Sequence, residues 1–203
     1  MSLTLETVLA TLPANSWMAK QVAKAWRGRG ALTVDEVATL KVDVRDRLWV
    51  ILAHFLDERR RRLLACDLAE QALTQAGDAD PLCLEAIRVA RAYANGEASA
   101  DRLAEVNAAV RAASEQVPLH DSSPVRVARL CASNACSAVT ALPEARPFHT
   151  GNTPGESAVM GNLHNLGIVV SWTNPYGQPG TPTMQSVREA AVKRAVAYAK
   201  GST

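Results

Sequence analysis

The feature that most limits what this chain can become is its helix punctuation, because start and stop signals alternate along the first two thirds of the sequence. Thr33-Val34-Asp35-Glu36 is a capping box, in which the Thr33 hydroxyl accepts from the third helical amide and Glu36 reaches back to the cap. Asp57 is the next N-cap, and its helix runs through Leu73 and stops by Gly77. Asp80 followed by Pro81 opens another, since proline at the first helical position gives up an amide that has no partner there. Gly96 suits that helix's left-handed end. Ser99 starts a helix that Pro118 terminates, and Ser123-Pro124 starts one that Pro143 ends. Upstream, Pro13 and the Gly28–Gly30 pair set off two short helices, and "DVRDRLWVILAHFL" forms a longer one. Short connections make such neighbours antiparallel.

Composition points the same way. Hydrophobic residues make up 48% but aromatics only 4%, so the core is built from alanine and aliphatic side chains, which favours closely packed helices over a β-sandwich. The expected fold is all-α, a multi-helix bundle of antiparallel helices over residues 1–142. Residues 143–203 differ: "PEARPFHTGNTPGES" and "TNPYGQPGTPT" are loop-like, and a last helix starts at Thr183. "SAVMGNLHNLGIVVSW" between them reads as a helix interrupted by Gly161 and Gly167, or as a short strand over "GIVVSW". This part is expected to be a loop-rich extension whose final helix packs on the bundle.

The start of the chain lacks the cationic region of a secretory signal, and the longest apolar run, "LWVILA", is too short to span a bilayer, so a cytoplasmic protein is expected. Cys66, Cys83, Cys131 and Cys136 form no C-x-x-C pair and read as structural thiols.

Charge is unevenly placed. Residues 1–62 hold eleven Lys/Arg against seven Asp/Glu (+4), residues 63–117 four against nine (−5), and residues 118–203 seven against four (+3). An acidic block between basic flanks suits a protein whose acidic surface meets a basic partner. Asp78, Glu85, Glu97, Asp101 and Glu105 are the candidate partner contacts. Within the block, Asp67 sits in an apolar run, where a carboxylate needs a partner. Asp67, Glu70, Arg88 and Arg91 are expected to form an interhelical ion-pair network.

The run Arg59 to Arg62 poses the opposite question. Consecutive helical residues point about 100° apart, so the four cannot form one cationic stripe. Asp57–Arg61 and Glu58–Arg62 are acid-first pairs one turn apart, and the run reads as the solvated start of a helix. Phosphate contact is the alternative for Arg59, Arg60 and Arg61; Lys20, Lys24, Arg27 and Arg29 around Trp26 are better placed for it, although an ordinary basic helix surface is the favoured reading there too.

Catalytic patterns are weak. His54, His120, His149 and His164 are scattered, no metal-binding or phosphate-loop motif occurs, and "GESAV" lacks the second glycine of a nucleophile elbow. No catalytic residue, metal or cofactor is expected. An enzyme using the loop between His149 and His164 is the minor alternative.

The stretches "ACDLAE" (65–70), "EAIRVARAYANGE" (85–97), the alanine-rich 103–113 and the cysteine–alanine pattern of 131–138 resemble a family of small all-α immunity proteins of bacterial polymorphic toxin systems, with phage-borne relatives. The resemblance covers about residues 58–142, and the C-terminal part departs from the family pattern. It implies a non-enzymatic inhibitor that sequesters a bacterial effector such as a nuclease toxin. A phage-encoded antagonist of a host defence complex, of the anti-CRISPR kind, follows the same logic. A helical nucleic-acid-binding subunit is the alternative from another class.

Overall fold

The computed structural model describes residues 2–12, 16–78, 80–116, 124–136, 154–173 and 181–202, with side chains undescribed at 154–156 and 172–173. Ten helices occur among them: α1 (Leu5–Thr11), α2 (Trp17–Trp26), α3 (Val34–Ala38), α4 (Val44–Phe55), α5 (Glu58–Ala76), α6 (Pro81–Ala94), α7 (Ala100–Glu115), α8 (Pro124–Ala135), α9 (Pro154–Thr173) and α10 (Met184–Lys200). The fold is an all-α multi-helix bundle. Strand β1 (Ser2–Leu3) pairs antiparallel with β2 (Leu32–Thr33), placing Leu3 opposite Leu32. No described helix is long and apolar enough to cross a membrane.

The punctuation is realised as local chemistry dictates. Side chains of Thr33, Asp57, Asp80, Ser99 and Thr183 each accept a first-turn amide, and Thr33 with Glu36 closes both halves of its capping box. Gly77 ends α5 with φ 67°, a left-handed conformation that costs a residue with a Cβ about 1 kcal/mol.

Helix α5 is the axis. Leu64, Ala65, Cys66, Leu68, Ala69, Ala72 and Leu73 are all buried, and α6, α8, α9 and α10 pack around them. A helix apolar on most sides belongs in an interior, and its small residues let neighbours come close.

Helix α9 corrects one expectation. It runs unbroken through Gly161 and Gly167, and "GIVVSW" lies in it rather than in a strand. Ala158, Val159, Leu163, Leu166, Val169 and Val170 are buried at helical spacing, against α5 and α8. The glycines serve contact: a Cβ on Gly161 would lie 3.0 Å from Asn134 Nδ2, and one on Gly167 would lie 3.3 Å from the Met184 side chain. The core therefore runs across residue 142 instead of ending there, and α9 is part of it as much as α8.

Candidate functional site

Half of the arginine run is spent inside the fold. Arg61 is 9% exposed, and it donates from Nε to Leu52 O (2.8 Å) and from Nη2 to Ala53 O (3.2 Å). Those carbonyls belong to the last turn of α4, where a helix leaves its acceptors unused and its dipole favours a cation. Arg62, 5% exposed, pairs with Glu58 at 3.0 Å and stacks 5.1 Å from the centre of the Tyr93 ring of α6. Arg59 donates twice to Asn95 Oδ1, at 2.8 and 3.2 Å, binding the end of α6 to α5. Arg60, not Arg61, lies near the capping carboxylate of Asp57, at 3.8 Å. The expected solvated helix start holds for the exposed Arg59 and the half-buried Arg60 but not for the buried Arg61 and Arg62, and Arg61 is not available to phosphate. Four directions give four different attachments.

Asp67 is the hub expected for it, with one change of partner. Arg91 donates to Asp67 (2.9 Å) and to Glu70 (2.7 Å), holding their carboxylates between α5 and α6; the Arg91 hydrogen bond keeps Glu70 below the usual carboxylate range. From α10, Tyr198 donates its hydroxyl to Asp67 Oδ2 (2.9 Å), and Arg194 approaches to 3.9 Å. Burial and the Asp67 charge raise the Tyr198 phenol. Arg88 is not a member. Three residues before Arg91 on α6, it pairs with Glu85 at 2.7 Å on a face turned toward α7. The hub opens on a cleft of about 490 Å³ lined by Asp67, Glu70, Gln71, Thr74 and Arg194.

The candidate partner acids separate into three groups. Asp78 is internal: its side chain is 10% exposed and ion-paired to Arg129 of α8 at 3.1 Å, so it is withdrawn as a contact. Glu85 bridges Arg88 and Arg102, whose hydrogen bonds bring its carboxyl to about 2, and Glu105 also holds Arg102, at 2.8 Å. Glu97 and Asp101 are exposed and form no ion pair with any described residue. Glu115, which sequence reasoning passed over, joins them.

On α7, residues 101, 105, 108, 112 and 115 recur at alternating steps of four and three, which aligns them along one side of the helix. All five are exposed: Asp101, Glu105, Ala108, Ala112 and Glu115. The opposite side carries buried Leu103, Val106 and Val110 against α6 and α8. The outer side is a seam of short side chains with carboxylates at both ends.

Helix α2 presents the reverse. Lys20, Lys24, Arg27 and Arg29 are exposed and form no ion pair with any described residue, while Trp26 between them is buried. Lys20, Lys24 and Arg27 line a shallow depression of about 700 Å³ with Leu5, Ala23 and Gly28.

The thiols and histidines offer little chemistry. All four cysteines are free and buried, and burial pushes each thiol up to about 12, far from the thiolate a nucleophile needs. "GESAV" lies in the first turns of α9, not on a strand-to-helix elbow. His54 shares a 3.2 Å hydrogen bond with Thr11, and His164 is exposed. His120 and His149 lie outside the described residues. No group of three His, Cys, Asp or Glu side chains suited to a metal occurs among the described residues.

No family model matches the chain, and no curated protein or solved structure matches it.

Proposed function

We propose that the protein is a non-enzymatic inhibitory binding protein that sequesters a basic bacterial effector, such as a nuclease toxin, through the outer seam of α7. The observation that carries this reading is the seam itself. Its alanines let a partner helix approach closely, and they lose no rotamer freedom when covered. The carboxylates of Asp101 and Glu115, with Glu97 at the preceding turn, supply a negative field that speeds encounter with a cationic surface. The likeness of residues 58–142 to helical immunity proteins supports the same reading.

The test is affinity capture with the full chain and with Glu97→Lys/Asp101→Lys/Glu115→Lys, positions that make no ion pair with any described residue. A basic protein held in stoichiometric amount by the wild type, and lost to the triple variant at unchanged melting temperature, is the expected result. Equal recovery by both refutes the α7 seam. The identity of the captured protein separates a toxin from a nucleic-acid-handling defence complex.

A further inference from the structure

Many charged side chains on this bundle are tied to a neighbour, whereas the cations along α2 form no ion pair with any described residue. Lys20, Lys24 and Arg27 follow Trp17 at steps of three, four and three, so all four side chains share one side of the helix. Trp17 is 64% exposed, the largest value among the exposed large hydrophobic residues described. The other side of α2 is seated in the core by Val22 and Trp26.

The C-terminal end of this side is locked. Gly28 adopts φ 76°, Arg29 N donates to Trp26 O at 2.9 Å, and the buried Trp26 indole donates to Gly30 O at 3.0 Å. That turn fixes where Arg27 and Arg29 leave the backbone. Glu36, the acid whose charge senses Arg29, is already engaged by the Thr33 amide at 2.8 Å. Arg27 and Arg29 therefore leave from a fixed turn, and none of the four cations forms an ion pair with a described residue.

A ligand for this side must be anionic at a spacing near one helical turn and must offer something flat to Trp17. We propose that the α2 face binds single-stranded nucleic acid, with Lys20, Lys24, Arg27 and Arg29 on successive phosphates and a base stacked on Trp17. Stacking on an exposed aromatic beside a cationic track is how unpaired bases are held without sequence preference. A duplex offers Trp17 no free base face. A bilayer needs an apolar helix face, and the apolar side of α2 is occupied by the core. An acidic protein segment, including the α7 seam of a second copy, would use the cations but leave Trp17 without a role.

Fluorescence anisotropy of labelled oligo-dT and oligo-U, titrated with the full chain across a salt series, tests this. The expected log–log salt slope is about −3, from four phosphates neutralised on a single strand. Trp17→Ala should weaken binding roughly tenfold or more, and Lys20→Glu/Lys24→Glu should abolish it, with circular dichroism and melting temperature unchanged. Glu97→Lys/Asp101→Lys/Glu115→Lys should not weaken it, which keeps this inference separate from the α7 reading. No binding at low salt, equal or tighter binding to a duplex, or full affinity in Trp17→Ala overturns the proposal. So does a chain that binds anionic phosphatidylserine vesicles or self-associates in place of binding the oligonucleotides.

Discussion

Two sets of four cations lie in the same basic third of the chain and meet opposite fates. Arg59 to Arg62 are consecutive, so the helix aims them at different neighbours: the end of α6, the Asp57 cap, the carbonyls of α4 and the Tyr93 ring. Lys20, Lys24, Arg27 and Arg29 are spaced along one side of α2 and its following turn, and they form no ion pair with any described residue. Spacing, not the number of charges, separates a structural cation from an available one. Clustered arginines became attachments of the bundle, and dispersed ones remained surface.

The same distinction sorts the acidic block. Asp67, Glu70, Asp78, Asp80, Glu85 and Glu105 are in ion pairs, which leaves Glu97, Asp101 and Glu115. Among the described residues, exposed acids of this block without an ion pair therefore lie on α7 and at the turn before it, while α2 and its following turn carry four exposed cations without one.

The contrast can be broken most easily at Arg61. Arg61→Ala removes a buried guanidinium from two terminal carbonyls of α4, and should lower stability by about 3 kcal/mol, read as a reduced urea midpoint at unchanged slope. Arg59→Ala, whose partner Asn95 is exposed, should cost less than about 1 kcal/mol in the same titration. If Arg59 proved the costlier, the assignment of interior and surface roles within the run would be wrong.

Asp46 sharpens the contrast from a third side, since it is buried with one carboxylate oxygen lacking a hydrogen bond. It is 5% exposed in the first turn of α4, and Oδ2 has no hydrogen-bond partner. Burial raises its pKa above the ordinary aspartate value, with Asp43 adding to the effect. A raised acid pKa disfavours the native state where the group is ionised in the unfolded chain, so the cost is present at neutral pH and fades as pH falls through the folded pKa. Asp46→Asn should therefore be slightly more stable than wild type at pH 7, with the gap closing as pH drops. A gap that widens toward acid in denaturant titrations would contradict this.

What the sequence showed depended on how local the physics was. Caps at Thr33, Asp57, Asp80, Ser99 and Thr183 were legible because the deciding atoms lie within a turn of each other. The Asp67–Arg91 pair was legible too, since a carboxylate in an apolar run must be compensated and the next helix in an αα-hairpin supplies the nearest cations. Arg88 was misplaced because the hairpin's rotation, which decides whether residue 88 or 91 faces α5, is set by side-chain packing that sequence spacing does not reveal. Helix α9 was hidden by its own contacts. The glycines that admit Asn134 and Met184 look like helix breakers, and Asn162, fully buried with its amide donating to Ala65 O at 2.8 Å, interrupts the apolar pattern. Trp17 went unnoticed because its exposure, not its identity, makes it informative.

The central claim is that charge is consumed at the start of α5 and left over on α2. Urea unfolding of Arg59→Ala/Arg61→Ala/Arg62→Ala and of Lys20→Ala/Lys24→Ala/Arg27→Ala, in one buffer, measures it directly. The account predicts a loss of more than about 3 kcal/mol for the α5 set and a change within about 0.5 kcal/mol for the α2 set. Equal losses, or a larger one on α2, would contradict it.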